Sequence, residues 1–219
     1  MRIDPDTLRE MAARLSADDR DEMAIPSFLH KNPALRWMAW RRIEVMAAMI
    51  QAECPRGGRV LDFGCGTGVL FEASLERAAE VVGVDLVLDA ARLWVDKRRL
   101  GDRVRLLPAA KVSEIPDRSC DLVVAAEVLE HIDDATDTLA LFKRVLAPSG
   151  QLLVSLPTEN RAYRLGRRLA GFSGHFHVHD AWDIDRAIQA GGFKRVHART
   201  IPGPGPLAIY LVARYEPTS

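Results

Sequence analysis

The feature that most constrains this chain is a glycine-rich turn set between an apolar run and a helical pattern, Val60-Leu-Asp-Phe-Gly-Cys-Gly-Thr-Gly68. Glycine has no Cβ and tolerates positive φ, so a turn of this kind brings backbone N–H groups close to whatever lies against it. The residues around it repeat the same order of strand, turn and helix. Apolar periodicity predicts strands at 59–63, 80–84, 104–107, 121–125 and 151–155, and helices at 69–78, 88–99 and about 134–146. The last strand follows a turn at Pro148-Ser149-Gly150. Such alternation predicts a parallel sheet. The last third departs from it, because a helix at 181–190 is followed by β-rich runs at 193–200 and 207–215 joined only by Ile-Pro-Gly-Pro-Gly-Pro. A parallel crossover needs a dozen or more residues, so these two runs form an antiparallel hairpin. The expected fold is α/β: a doubly wound seven-stranded sheet, mostly parallel with an antiparallel C-terminal hairpin, and helices on both faces.

Two helical patterns precede the sheet. Asp4-Pro5 with Leu8, Met11, Ala12 and Leu15 reads as a capped amphipathic helix, and 33–52 reads as a longer one. They predict an N-terminal helical cap at 1–55 ahead of a domain at 56–219. The 219 residues are enough for one sizeable core. A formal net charge of zero removes the global attraction expected of a protein that binds nucleic acid through phosphates. Cys54, Cys65 and Cys120 are odd in number and widely spaced, which indicates neither a disulfide framework nor a zinc knuckle and fits a reducing cytoplasm. The N-terminus lacks an apolar stretch of signal-peptide length and no later run is long enough to span a bilayer, so a cytoplasmic protein is expected.

The glycine turn fails the dinucleotide-binding spacing G-x-G-x-x-G in both registers, since the third glycine falls on Val69 or on Phe71. The spacing G-x-G-x-G with Asp62 just upstream instead resembles motif I of the class I S-adenosylmethionine-dependent methyltransferases. By that resemblance Asp62, Gly64, Cys65, Gly66 and Gly68 cradle the methionine part of the cofactor. A second acid, Asp85, ends the strand Val81-Val-Gly-Val-Asp85 at 21 positions after Gly64. An acid at about that distance hydrogen-bonds ribose hydroxyls in Rossmann-type folds, whereas the bland alternative is a cap for the helix that follows. The resemblance adds Leu86 and Glu127 to the cofactor contacts and covers roughly 59–215. After the third strand the family usually carries an acid for the adenine amine. Here Leu107 is followed by Pro108-Ala109-Ala110-Lys111, which leaves adenine to backbone groups and apolar packing.

Glu127, Glu130 and His131 follow the fourth strand at spacing i, i+3, i+4, which puts them on one face if the segment is helical. They are the candidate catalytic residues, with His131 as a base for a hydroxyl. The bland alternative is that they brace a loop. The string E-x-x-E-H also resembles the divalent-metal site of the ubiquinone-biosynthesis O-methyltransferases and of the small-RNA terminal 2′-O-methyltransferases, where a further histidine completes the set. That implies Glu127, Glu130, His131 and His177 as ligands of a divalent metal ion. His177 lies in Gly174-His-Phe-His-Val-His-Asp180, whose alternating histidines share one side if the segment is extended.

A substrate lid is expected at about 157–180, where Arg161, Arg164, Arg167 and Arg168 cluster at helical spacing. Arg161, Arg164, His175 and His179 are the candidate acceptor-binding residues. The arginines here, and the arginines with Trp37 and Trp40 in the N-terminal region, suit an anionic, partly apolar acceptor or a membrane surface; the alternatives are a solvated helix face and a packed cap. The expected function is S-adenosylmethionine-dependent O-methylation of a small-molecule or lipid-like acceptor. Methylation of an RNA terminus and cofactor binding without catalysis are the competing readings.

Overall fold

A computed structural model describes residues 2–158, 180–205 and 207–218. Three N-terminal helices begin where the sequence provides caps. Asp4 accepts the Thr7 backbone N–H ahead of α1 (Pro5–Ala13), Ser16 accepts that of Asp19 ahead of α2 (Ala17–Glu22), and Asn32 accepts that of Ala34 ahead of α4 (Pro33–Glu53). Each side chain satisfies a donor that the first turn leaves without an intrahelical partner. Between α2 and α4 lies the short α3 (Ile25–Phe28).

The sheet follows as β1 (Arg59–Phe63), β2 (Glu80–Asp85), β3 (Val104–Pro108), β4 (Cys120–Ala126), β5 (Leu146–Pro157), β6 (Phe193–Ile201) and β7 (Tyr210–Pro217). Its spatial order is β3-β2-β1-β4-β5-β7-β6, with β7 antiparallel to both neighbours and the remaining pairs parallel. The expected doubly wound sheet and its C-terminal hairpin are therefore present. The connecting helices are α5 (Phe71–Leu75), α6 (Asp89–Arg98), α7 (Thr136–Val145) and α8 (Ala181–Ala190).

Successive strand residues point to opposite faces, and both faces are covered. Val60, Val81, Leu122 and Leu153 bury with Met46 and Ile50 of α4, Phe71 of α5 and Trp94 of α6. Leu61, Val82, Val123 and Leu152 bury on the other side with Leu139 and Phe142 of α7 and Ile184 and Ile188 of α8. The helices of 1–55 share the first of these cores rather than forming one of their own, since Leu8, Met11, Ile25 and Phe28 belong to it. Trp40 is buried and stacks on Phe28 with ring centroids 4.5 Å apart, so it packs the cap, whereas Trp37 is 48% exposed.

Two elements differ from the sequence reading. The helix expected at 69–78 is confined to α5, because the glycine turn continues through Val69 and Leu70 before the chain becomes helical. The strand expected at 151–155 begins at Leu146. Leu146 pairs with Cys120 and Gln151 with Leu122, so the Pro148-Ser149-Gly150 turn is accommodated as an irregularity within the ladder. The three cysteines are free and buried.

Candidate active site

The carboxyl ends of β1, β2 and β4 meet at a cavity of about 590 Å³. That is within the usual range for small-molecule sites. Its floor is the glycine turn, with Asp62, Gly64, Cys65, Gly66 and Thr67 in the wall. The glycines divide by role. At Gly68, φ is +73° and an added Cβ would lie 2.5 Å from the Phe71 ring, so this glycine permits packing of the helix behind the turn, and it is not part of the wall. Gly66 also has positive φ, +50°, yet an added Cβ would meet nothing within 4 Å. It borders open space, and it is here that backbone approaches the cavity without obstruction.

Asp62 is 2% exposed. Burial, together with the nearby Asp85 carboxylate, pushes its carboxyl up to about 7. Asp85 accepts hydrogen bonds from the backbone N–H groups of Gly66 and Leu86, both at 2.7 Å. It thus ties the glycine turn to the end of β2. It does not cap the following helix, whose N-cap is Leu88 with no side-chain bond. Leu86 is 85% exposed and, with Val87 and Ala109, gives that side of the cavity an apolar lining.

The segment after β4 corrects one expectation. Glu127, Glu130 and His131 do not share the face of an α-helix. Glu127 sits at φ +56° and a short 3-10 turn spans Leu129–His131. Glu127 and His131 line the cavity, while Glu130 is fully buried and is not part of the wall. Glu127 is ion-paired to Arg42 of α4, and the Arg42 guanidinium also lies over the Tyr210 ring at 5.1 Å. Arg42 is 4% exposed and lines the cavity. Its only signal in the sequence is a charged residue amid the apolar spacing of a long helix.

The sequence reading also missed the roof. Met23, Phe28, Leu35 and Met38 from α2 to α4 line the cavity on the side of the N-terminal helices, with Asp19, Ser27 and His30 among them. Arg161, Arg164, His175, His177 and His179, and nearly all of the lid expected at 157–180, lie outside the described residues. Among the described residues there is no group of three or more His, Cys, Asp or Glu arranged to hold a metal ion.

A family model for a methyltransferase domain matches residues 35–198, which include the glycine turn, Arg42, Asp85 and His131. This chain belongs to the class I S-adenosylmethionine-dependent methyltransferases. A ubiquinone biosynthesis O-methyltransferase of Rhodopseudomonas palustris (strain BisB5) is 32% identical to the methyltransferase over 166 residues. That match takes in 72% of this chain and 64% of the relative, so the chain spans less than two thirds of that relative's length. Solved structures share the methyltransferase fold at lower identity. The N-methyltransferase NodS of Bradyrhizobium japonicum, in complex with S-adenosylhomocysteine, has a TM-score of 0.68 at 18% identity, covering 97% of this chain and 99% of that one. The 1,6-didemethyltoxoflavin-N1-methyltransferase of Burkholderia thailandensis has a TM-score of 0.65 at 22% identity, covering 100% and 92%.

Proposed function

We propose that this methyltransferase transfers a methyl group from S-adenosylmethionine to a hydroxyl of a small, apolar-bodied or lipid-like acceptor. The observation that carries this reading is the continuity of the cavity from Asp62 and Gly66, past Glu127 and His131, to the apolar roof. The floor fits the cofactor: Gly66 leaves open space beside the backbone, and Asp62 and Asp85 offer carboxyl groups to a ligand bearing an ammonium and a sulfonium. When bound, S-adenosylmethionine supplies a methyl group already activated on sulfur, so orientation of the acceptor does much of the catalytic work.

The chain's residues divide that work by position. Asp62 accepts hydrogen bonds from the ammonium and Asp85 from the ribose hydroxyls, while Leu86, Val87 and Ala109 pack adenine without an acid after β3. Arg42, held by Glu127, provides a cation for the methionine carboxylate. His131 removes the acceptor hydroxyl proton. Of the metal ligands the resemblance implies, Glu127, Glu130, His131 and His177, only Glu127 and His131 line the cavity among the described residues, and a metal-assisted variant of this step would need all four at one ion. The two mechanisms separate by chelation. If His131 is a simple base, turnover survives chelation and falls about 10²–10⁴-fold in His131→Ala. Near wild-type turnover in His131→Ala, with and without chelator, would reject both.

The acceptor's apolar body follows from Met23, Phe28, Leu35 and Met38, and O-methylation is supported by the O-methyltransferase relative and by the imidazole in the wall. Among the described residues no helix is long and apolar enough to cross a membrane. A lipid-like acceptor would be reached from a membrane surface, with exposed Trp37 and the arginines at 161–168 in contact with it. Co-sedimentation with anionic vesicles that persists unchanged in Trp37→Ser would count against that contact.

A further inference from the structure

The sheet order β3-β2-β1 sets three strand ends in a row along the cavity, and each contributes to its wall: the glycine turn after β1, Asp85 at the end of β2 and Ala109 after β3. A ligand laid across them with its amino-acid end at Asp62 and its ribose on Asp85 carries its base past β2 to the exit of β3. That end of the cavity differs from the rest in polarity. Leu86 and Val87 present aliphatic side chains, and Leu86 is 85% exposed, so the wall here stands open to solvent. Among the described residues from Pro108 to Glu114, only Ala109 lines the cavity, and its side chain is a methyl group. The charged groups nearby are already engaged. Asp85 accepts the backbone N–H groups of Gly66 and Leu86, and Glu114 pairs with Lys111 at the surface at 3.6 Å.

We infer that this end of the site selects the base by shape and apolar contact and does not read its exocyclic amine, so that the methyltransferase accepts a cofactor enlarged at the purine 6-position. Ala109 and Leu86 set this specificity: the methyl group offers the amine no acceptor, and the open wall beside the leucine leaves room for a substituent to emerge into solvent. The inference rests on the proposed function in placing the base there. An amine that faces water keeps its hydrogen bonds in the bound state, so replacing its hydrogens leaves no protein group unmatched. Only a wall that holds a fixed hydrogen-bonding partner rejects an analogue lacking the N–H strongly, because that partner is then stranded.

The test compares S-adenosylhomocysteine with the same molecule dimethylated at N6, which has no N–H at the purine 6-position and keeps the amino-acid and ribose groups. Each compound is titrated calorimetrically into the full chain. The wild type is expected to bind the dimethylated compound within about threefold of the parent, since a solvated amine adds little to affinity. Ala109→Asp sets a carboxylate at the exit of β3, where an acid at the start of a helical turn is compatible with the fold. This variant is expected to prefer the parent by about tenfold or more, the cost of leaving the new acceptor unmatched. A wild-type preference for the parent of about tenfold or more would overturn the inference, and that ratio is a test in itself, independent of whether the variant folds. Equal affinities in a folded Ala109→Asp would also overturn it, because the 6-position would then lie away from Ala109. If the wild type binds neither compound, the cofactor reading fails and the inference falls with it, whereas parent binding without the dimethylated compound rejects the inference alone.

Discussion

Replacing Asp62 by Asn tests the electrostatics of the glycine turn through stability as well as through binding. In the folded protein, without ligand, the Asp62 carboxyl titrates near 7, against an ordinary value of 3.8. The shift of about three units corresponds to about 4 kcal/mol. The folded state therefore holds a proton that the unfolded chain releases, and the stabilisation from this group is complete near pH 4 and is lost as pH rises through 7. Asn keeps the shape and removes the charge. In urea unfolding without ligand, the wild type is expected to lose up to about 4 kcal/mol relative to Asp62→Asn between pH 4 and pH 8. The other shifted carboxyls, such as Asp4 and Glu44, are common to both proteins and cancel in the difference. A cationic ligand beside Asp62 favours the ionised form, so wild-type affinity for S-adenosylmethionine is expected to rise with pH up to about 7 and then level. Asp62→Asn should bind weakly with little pH dependence. Parallel stability curves for the two proteins across pH 4–8 would refute the reasoning.

The glycines of the turn should separate in their effects. Gly66→Val is expected to abolish S-adenosylmethionine binding in calorimetry while costing about 1–2 kcal/mol of stability from its positive φ, whereas Gly68→Val should destabilise more, because its side chain meets the Phe71 ring. Equal effects of both on binding and stability would contradict the division. Arg42→Met and Glu127→Gln are each expected to cost about 3 kcal/mol, as when one partner of a buried ion pair is removed. The double variant should cost less than the sum, and strict additivity in denaturant unfolding would show that the two side chains are not coupled.

The sheet and the position of the glycine turn were legible because their signals are local. Strand and helix periods, the Pro-Gly-Pro connector before β7, and the placement of Asp62, Gly66 and Asp85 at the ends of β1 and β2 are all set by residues close in sequence. The cavity roof was not, because nothing local marks His30, Met38 or Arg42 as lining the cavity at the carboxyl ends of β1 and β4. That relation exists only once α4 packs on the sheet. The same long-range contact explains the misread segment after β4. Its i, i+3, i+4 spacing predicts a shared helical face, but Glu127 pairs with Arg42 at positive φ and the chain turns within a few residues. Gly68 matched the motif spacing while serving the packing of Phe71, since spacing alone does not distinguish a glycine that admits a ligand from one that admits a side chain.

The central claim is that the cofactor occupies the floor of this cavity and the acceptor its roof. The most direct test is a crystal structure of the full chain with S-adenosylhomocysteine. The account requires the amino-acid end of the ligand against Asp62 and Gly66, the ribose hydroxyls on Asp85, adenine against Leu86 and Ala109, and the thioether sulfur facing His131 with open space toward Phe28 and Met38. Ligand density elsewhere, or with adenine under the N-terminal roof and the amino-acid end at Ala109, would contradict it.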